Sequence, residues 1–158
     1  MPKRSSRWAG QQVGKGGTEP GKLQPMVPIK HHWQLDVYKQ AMEMSGQVFQ
    51  VSKKFPREEM FSLTDQIRRS SRAVSAMIAE GWRRRKYEAS FVDKLNQAEA
   101  EAAETQTWLE HAVQCDYIEA TKAREIHRLC DHVIGKLVNM GNRPEVWLLR
   151  KTSAAAEE

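Results

Sequence analysis

The stretch Ser-Phe-Val-Asp-Lys-Leu-Asn-Gln-Ala-Glu-Ala-Glu-Ala-Ala-Glu-Thr-Gln-Thr-Trp-Leu-Glu-His-Ala-Val-Gln-Cys, residues 90–115, decides the fold. Within it Phe91, Leu95, Ala98, Ala102, Thr105, Leu109 and Ala112 recur at alternating steps of four and three. That spacing collects them on one side of an α-helix, whereas a strand would need a period of two. Ala, Glu and Gln fill most other positions and favour helix. Ser90 followed by Asp93 predicts a helix start at Ser90, with Asp in place of the Glu of a full capping box.

The same periodicity recurs on both sides. From Trp33 to Phe55, Val37, Ala41, Met44, Val48, Val51 and Phe55 form one seam. Leu35, Tyr38, Met42, Ser45, Phe49 and Ser52 form a second. Two adjacent seams make a face wide enough to pack inside the bundle and against another subunit, which predicts a closed homo-oligomer. Pro56 then redirects the chain. From Glu58 to Arg85, Met60, Leu63, Ile67, Val74, Met77 or Ile78, and Gly81 mark an inner stripe. The small residues of Ser70–Ala76 allow a neighbouring helix close, and Gly81 is either a close-approach point or an early C-cap. From Glu119 to Met140, Ile126, Leu129, Val133, Leu137 and Met140 point inward, and Gly141, Asn142 and Pro144 stop the helix. Trp147, Leu148 and Leu149 are expected to fold back. Four helices of about 20–28 residues, roughly 30–40 Å each, with short linkers predict an all-α, antiparallel up-down-up-down four-helix bundle.

The 158 residues suffice for one domain with a hydrophobic core. No apolar run approaches the roughly 18 residues of a membrane span, and no secretory signal is evident. Two cysteines, Cys115 and Cys130, make no disulfide framework, so a reducing, cytoplasmic setting is expected. Residues 1–25 hold five of the nine glycines, three of the six prolines and five basic groups against the single acid Glu19. They read as a disordered basic tail that either holds nucleic acid non-specifically or precedes a true start at Met26. Residues 26–150 form the expected bundle domain, and 151–158 a frayed end.

Catalytic chemistry finds no foothold. Trp108, Arg124 and Leu129 stand three residues before His111, His127 and His132, so the Glu-x-x-His of a di-metal bundle is missing. His111 with Cys115 and His127 with Cys130 could hold zinc if the third and fourth helices brought them together. The plainer reading is a part-buried thiol and surface imidazoles. No phosphate loop, nucleophile elbow or His-Glu-x-x-His occurs. No catalytic residue, metal site or cofactor is predicted.

Charge is unevenly placed. Residues 53–86 carry ten basic groups and four acids, while residues 87–121 carry eight acids and one base, Lys94. With the turn near Lys86–Tyr87, facing residues place Arg69 opposite Glu104, Arg72 opposite Glu101 and Glu80 opposite Lys94. These six read as structural ion pairs, each contributing little if exposed. Arg83, Arg84, Arg85 and Lys86, with Lys53, Lys54 and Arg57 at the first turn, are the candidate nucleic-acid-binding residues. A solvated charge run is the alternative for a monomer.

Phe55-Pro56, Asp65-Gln66-Ile67-Arg68-Arg69-Ser70 and Met77-Ile78-Ala79-Glu80-Gly81, followed by the basic run and Phe91, resemble the small bacterial four-helix bundle proteins encoded in intervening sequences of large-subunit ribosomal RNA genes. Leu35-Asp36-Val37-Tyr38 is similar to the opening of their first helix, and the resemblance spans about residues 33–140. This chain has Met77 where the family has Asn, and Ala98-Glu99-Ala100-Glu101 where its third helix has Gly-Ser. The family is similar in fold to the accessory variability protein of diversity-generating retroelements. The resemblance implies a cytoplasmic homopentamer without catalytic activity. Its retroelement relatives imply RNA or DNA and a reverse transcriptase as partners. Five copies of the Arg83–Lys86 run would ring the assembly with positive charge and attract phosphate backbones rather than read bases. The alternative function is a protein-only scaffold.

Overall fold

The structure, a computed structural model, describes residues 28–151. Residues 1–25 and all but the first residue of 151–158 lie outside the described residues. Four helices follow in order: α1 (Asp36–Ser52), α2 (Leu63–Arg83), α3 (Glu88–Gln114) and α4 (Ala120–Asn142). Each helix touches two others, α1 with α2 and α4, and α3 with α2 and α4, and no diagonal pair meets. Short linkers force antiparallel neighbours, so the bundle is up-down-up-down. No strand occurs among the described residues.

The α3 seam is buried at every expected position from Phe91 to Ala112. The helix begins two residues before Ser90, at Glu88, with Tyr87 as its cap, so the Ser90–Asp93 start was misplaced. At its other end Tyr117 N donates to Ala112 O (2.9 Å) and Asp116 N to Val113 O (3.1 Å). That pair of bonds closes the helix around Asp116, which sits in the left-handed region at φ 59°.

The first linker differs most from expectation. Pro56 leads into a 3-10 turn, Arg57–Glu59, and α2 begins only at Leu63. Glu59 sets that start by accepting from the Ser62 hydroxyl and from Leu63 N. Met60 therefore does not join the inner stripe but is exposed, and Phe61 beside it is 92% exposed. Glu59 also accepts from Tyr117 OH at 3.1 Å, tying this linker to the α3–α4 turn.

Helices α2 and α3 approach closely because the residues between them are small. Ser70 Oγ and Thr105 Oγ1 are 2.9 Å apart in the core. A Cβ on Gly81 would lie 3.2 Å from Lys94 Cβ, which makes Gly81 a close-approach point inside the helix rather than a cap. Buried Ser71 and Ser75 satisfy their hydroxyls on the carbonyls of Arg68 and Arg72. The α1 seam runs through Val37, Ala41, Met44 and Val48, then shifts to Ser52, leaving Val51 half-buried. In α4 Cys130 takes the interior place while Leu129 is half-buried. No described helix is long and apolar enough to cross a membrane.

Candidate nucleic-acid interface

The end of the bundle where α2 and α4 finish and α1 and α3 begin gathers basic groups. Arg84 N caps α2 by donating to Gly81 O at 2.9 Å, within the run Arg83–Lys86 that ends the helix and leads to α3. Arg83 and Arg84 face the negative end of the α2 dipole, whereas Lys86 precedes the positive end of α3. Arg83, Arg84 and Lys86 are exposed. Arg84 Nη1 lies 3.3 Å from Ser90 Oγ, and Lys86 Nζ lies 5.6 Å from the Tyr87 ring. Among the described residues none of the three has a carboxylate oxygen within the 4.0 Å of an ion pair.

Arg85 differs. Its guanidinium carbon sits 3.4 Å over the Trp82 ring. Nε donates to Trp82 O (2.8 Å) and Nη1 to Trp147 O (3.4 Å). Leu149 N donates to Arg85 O at 3.2 Å. Burial, then Arg83 alongside, hold its pKa below the ordinary arginine value. Arg85 thus fastens the segment after α4, and it leaves the set of candidate ligand contacts. The buried Trp82 indole fastens the other end, donating to Lys30 O at 3.3 Å.

Both fastenings recruit charge that sequence proximity hides. Lys30, Arg143, Arg150 and Lys151 are exposed at the same end. With Arg83–Lys86 they make eight basic side chains among the described residues, against Asp36, Glu80, Glu88 and Glu145. Exposed Tyr87 (63%) and Trp33 (54%) stand among them.

The second predicted group does not join the first. Lys53, Lys54 and Arg57 are exposed on the α1–α2 linker, at the opposite end of α2. The 21 residues of that helix separate the two groups by roughly 30 Å.

The predicted ion pairs divide. Arg69 Nη2 lies 2.7 Å from Glu104 Oε1, and Lys94 Nζ lies 2.8 Å from Glu80 Oε2. Glu101 is approached by Arg69, at 4.0 Å, and not by Arg72. Arg72 turns away from α3 and lies 5.7 Å over the Phe49 ring of α1. The register set by a turn near Lys86–Tyr87 is sound for Arg69 with Glu104 and for Glu80 with Lys94, but Arg72 sits on the wrong side of α2 to use it.

The four residues considered for zinc do not converge. Cys130 is buried in the core and Cys115 is exposed. His127 sits between Glu110 (3.7 Å) and Asp131 (3.6 Å), and His111 packs by Trp108. Among the described residues no group of three or more His, Cys, Asp or Glu could hold a metal ion.

Four antiparallel helices carrying cationic ends define a small all-α bundle protein. The chain belongs to the 23S rRNA-intervening sequence protein family, whose model matches residues 33–139. A solved structure from Bacteroides thetaiotaomicron VPI-5482, described as a protein of unknown function from the S23 ribosomal protein family, is similar to it. The two share 27% identity and superpose with a TM-score of 0.61, covering 67% of this chain and 95% of that one. No curated protein matches.

Proposed function

We propose that the chain is a non-catalytic, homo-oligomeric bundle, with five subunits, that binds RNA through its phosphate backbone as an accessory factor. The observation that carries this reading is the exposed trio Arg83, Arg84 and Lys86, with no carboxylate within ion-pair distance among the described residues, at an end where eight bases meet four acids. Such a surface attracts phosphates, releases their counterions and reads no sequence. A reverse transcriptase as the assisted enzyme, and a cytoplasmic setting, rest on the resemblance to the retroelement accessory protein. Affinity capture of that enzyme from a strain carrying both genes tests the first.

The replacement Arg83→Ser with Arg84→Ser and Lys86→Ser, leaving Arg85 in place, tests the interface. For single strands the slope of log K against log salt should flatten by about 2 per subunit engaged, at 0.7 per lost phosphate contact. An unchanged slope, with binding lost on removal of residues 1–25, would assign the whole effect to the tail.

One observation favours a protein-only scaffold as the second reading. Phe61 (92%), Met60 (49%) and Met42 (48%) are large apolar groups left open to solvent. Sedimentation of the Phe61→Ser variant decides whether they are buried between subunits.

A further inference from the structure

The α1-facing side of α2 holds a cluster that neither the observed ion pairs nor the basic end uses. The Phe49 ring is approached by Lys53 Nζ at 4.7 Å, by the Arg68 guanidinium at 4.8 Å and by that of Arg72 at 5.7 Å. We propose that Lys53, Arg68 and Arg72, gathered about Phe49 in the groove between α1 and α2, form a phosphate-binding subsite for a single nucleic-acid strand. The strand also crosses the Arg83–Lys86 end, so the subsite rests on the reading above and extends it to a track along α2.

Three features support the site. The basic residues of α2 and α3 that face each other are neutralised, Arg69 by Glu104 and Lys94 by Glu80. The three around Phe49 have no carboxylate within ion-pair distance among the described residues. A ring quadrupole attracts a cation but cancels none of its charge, so three cations on one ring still repel each other. A phosphate placed among them removes that repulsion. Among the described residues Asp65 is the one acid lining the shallow depression, about 460 Å³, that adjoins Arg68 and Arg72.

Second, the cluster is partly fixed before any ligand arrives. Arg68 Nε donates to Ser52 Oγ at 2.8 Å, so part of its ordering cost is already met in the free protein.

Third, the register connects it to the basic end. Arg72 and Arg83 are eleven residues apart, about 20° around the axis of α2 and about 16 Å along it. That length corresponds to about five nucleotide rises of one helical strand.

The test is a pair of variants of the full chain, measured with an oligouridylate long enough to span both sites. Arg68→Gln with Arg72→Gln should flatten the salt slope by about 1.4, two contacts at 0.7 each. Arg68→Lys with Arg72→Lys keeps the charge and should restore most of the slope, which separates a phosphate contact from simple loss of packing. Circular dichroism and sedimentation should match the parent chain in both. An unchanged slope in the Gln variant overturns the subsite. So does a Gln variant whose sedimentation changes while its slope does not, because the cluster then serves an acidic surface of a second copy. Melting with inorganic pyrophosphate at constant ionic strength provides the remaining arm. If pyrophosphate stabilises the parent and not the Gln variant while the oligouridylate slope is unmoved, the ligand is a free oxyanion and the strand is overturned. A flattened slope here with no effect of the Arg83, Arg84 and Lys86 replacements would retain the subsite and remove the basic end. A parent chain that binds no oligouridylate at all removes both.

Discussion

Replacing Arg85 by Ala should damage the fold more than the binding, and this separates it from its three neighbours. The side chain stacks at 3.4 Å on Trp82, which is 4% exposed, and bonds to the carbonyls of Trp82 and Trp147. A desolvated cation–π contact contributes about 2 kcal/mol. A hydrogen bond from a charged group contributes about 1.5–3 kcal/mol. The bond to Trp147 is long and the side chain half-exposed, and the terms overlap in a single group, so we expect a total near 2–3 kcal/mol. For a bundle of this size that lowers the melting temperature by roughly 5–12 °C. Urea denaturation followed by tryptophan fluorescence measures the loss directly. Arg85→Lys keeps the charge without the planar stack and should recover less than half of it. At a temperature where Arg85→Ala is fully folded, its salt slope for RNA should equal that of the parent. A variant as stable as the parent, yet as impaired in binding as Arg84→Ser, would refute the structural role and return Arg85 to the interface.

Other consequences are open to simple measurement. Asp116→Gly should raise the melting temperature, by an amount corresponding to about 0.5–1 kcal/mol, because φ 59° strains any residue with a Cβ. A lower melting temperature would mean that the Asp side chain itself holds the turn. Burial, with Asp131 alongside, pushes the Cys130 thiol up to about 12 from an ordinary 9.0. Its contribution to stability is whole below pH 9.0 and is lost as pH rises towards about 12; Cys130→Val should show a shallower alkaline decline. A thiol reagent at pH 8 should label Cys115 alone until the chain is unfolded. Glu59 is held below the ordinary 4.5 by its bonds from Ser62 and Leu63. It stabilises above that value and ceases to as pH falls through its lowered pKa, so the melting difference between the parent and Glu59→Gln should be full at neutrality and close in acid. Ser70→Leu should open the α2–α3 contact and cost at least about 1–3 kcal/mol, as seen by denaturation.

Long-period patterning was readable and local exceptions were not. The α3 seam declared itself because every inward position is Phe, Leu, Ala or Thr at a strict heptad. The start of α2 was set too early, because Glu58, Glu59 and Met60 are good helix formers that follow Pro56 without a break. Only the carboxylate of Glu59, bent back to Ser62 and Leu63, shows that they make a turn. Arg69 and Glu104 were found by counting from one turn, since both face across the α2–α3 contact. For Arg72 the distance from the turn fits Glu101, but its side of the helix faces Phe49 of α1 instead. The role of Arg85 depends on Trp147, 62 residues away, which no local pattern reveals. The same holds for Lys30 and Arg150, which reach the basic end only because the tryptophans pull both ends of the bundle chain there.

That convergence of chain ends affects how the first 25 residues would act. The bundle begins at a segment fastened to Trp82, so whatever precedes it is tethered beside Arg83, Arg84 and Lys86. Residues 1–25 carry five bases and one acid. If residues 1–25 bind the same strand, a ligand held by either region would meet the other at an effective concentration set by the chain that links them. The two would then act as one bivalent binder whose affinity exceeds that of either region alone. Deleting the tail and neutralising the end should each remove the shared tethering gain, so their combined effect on log K should fall short of the sum of the separate effects.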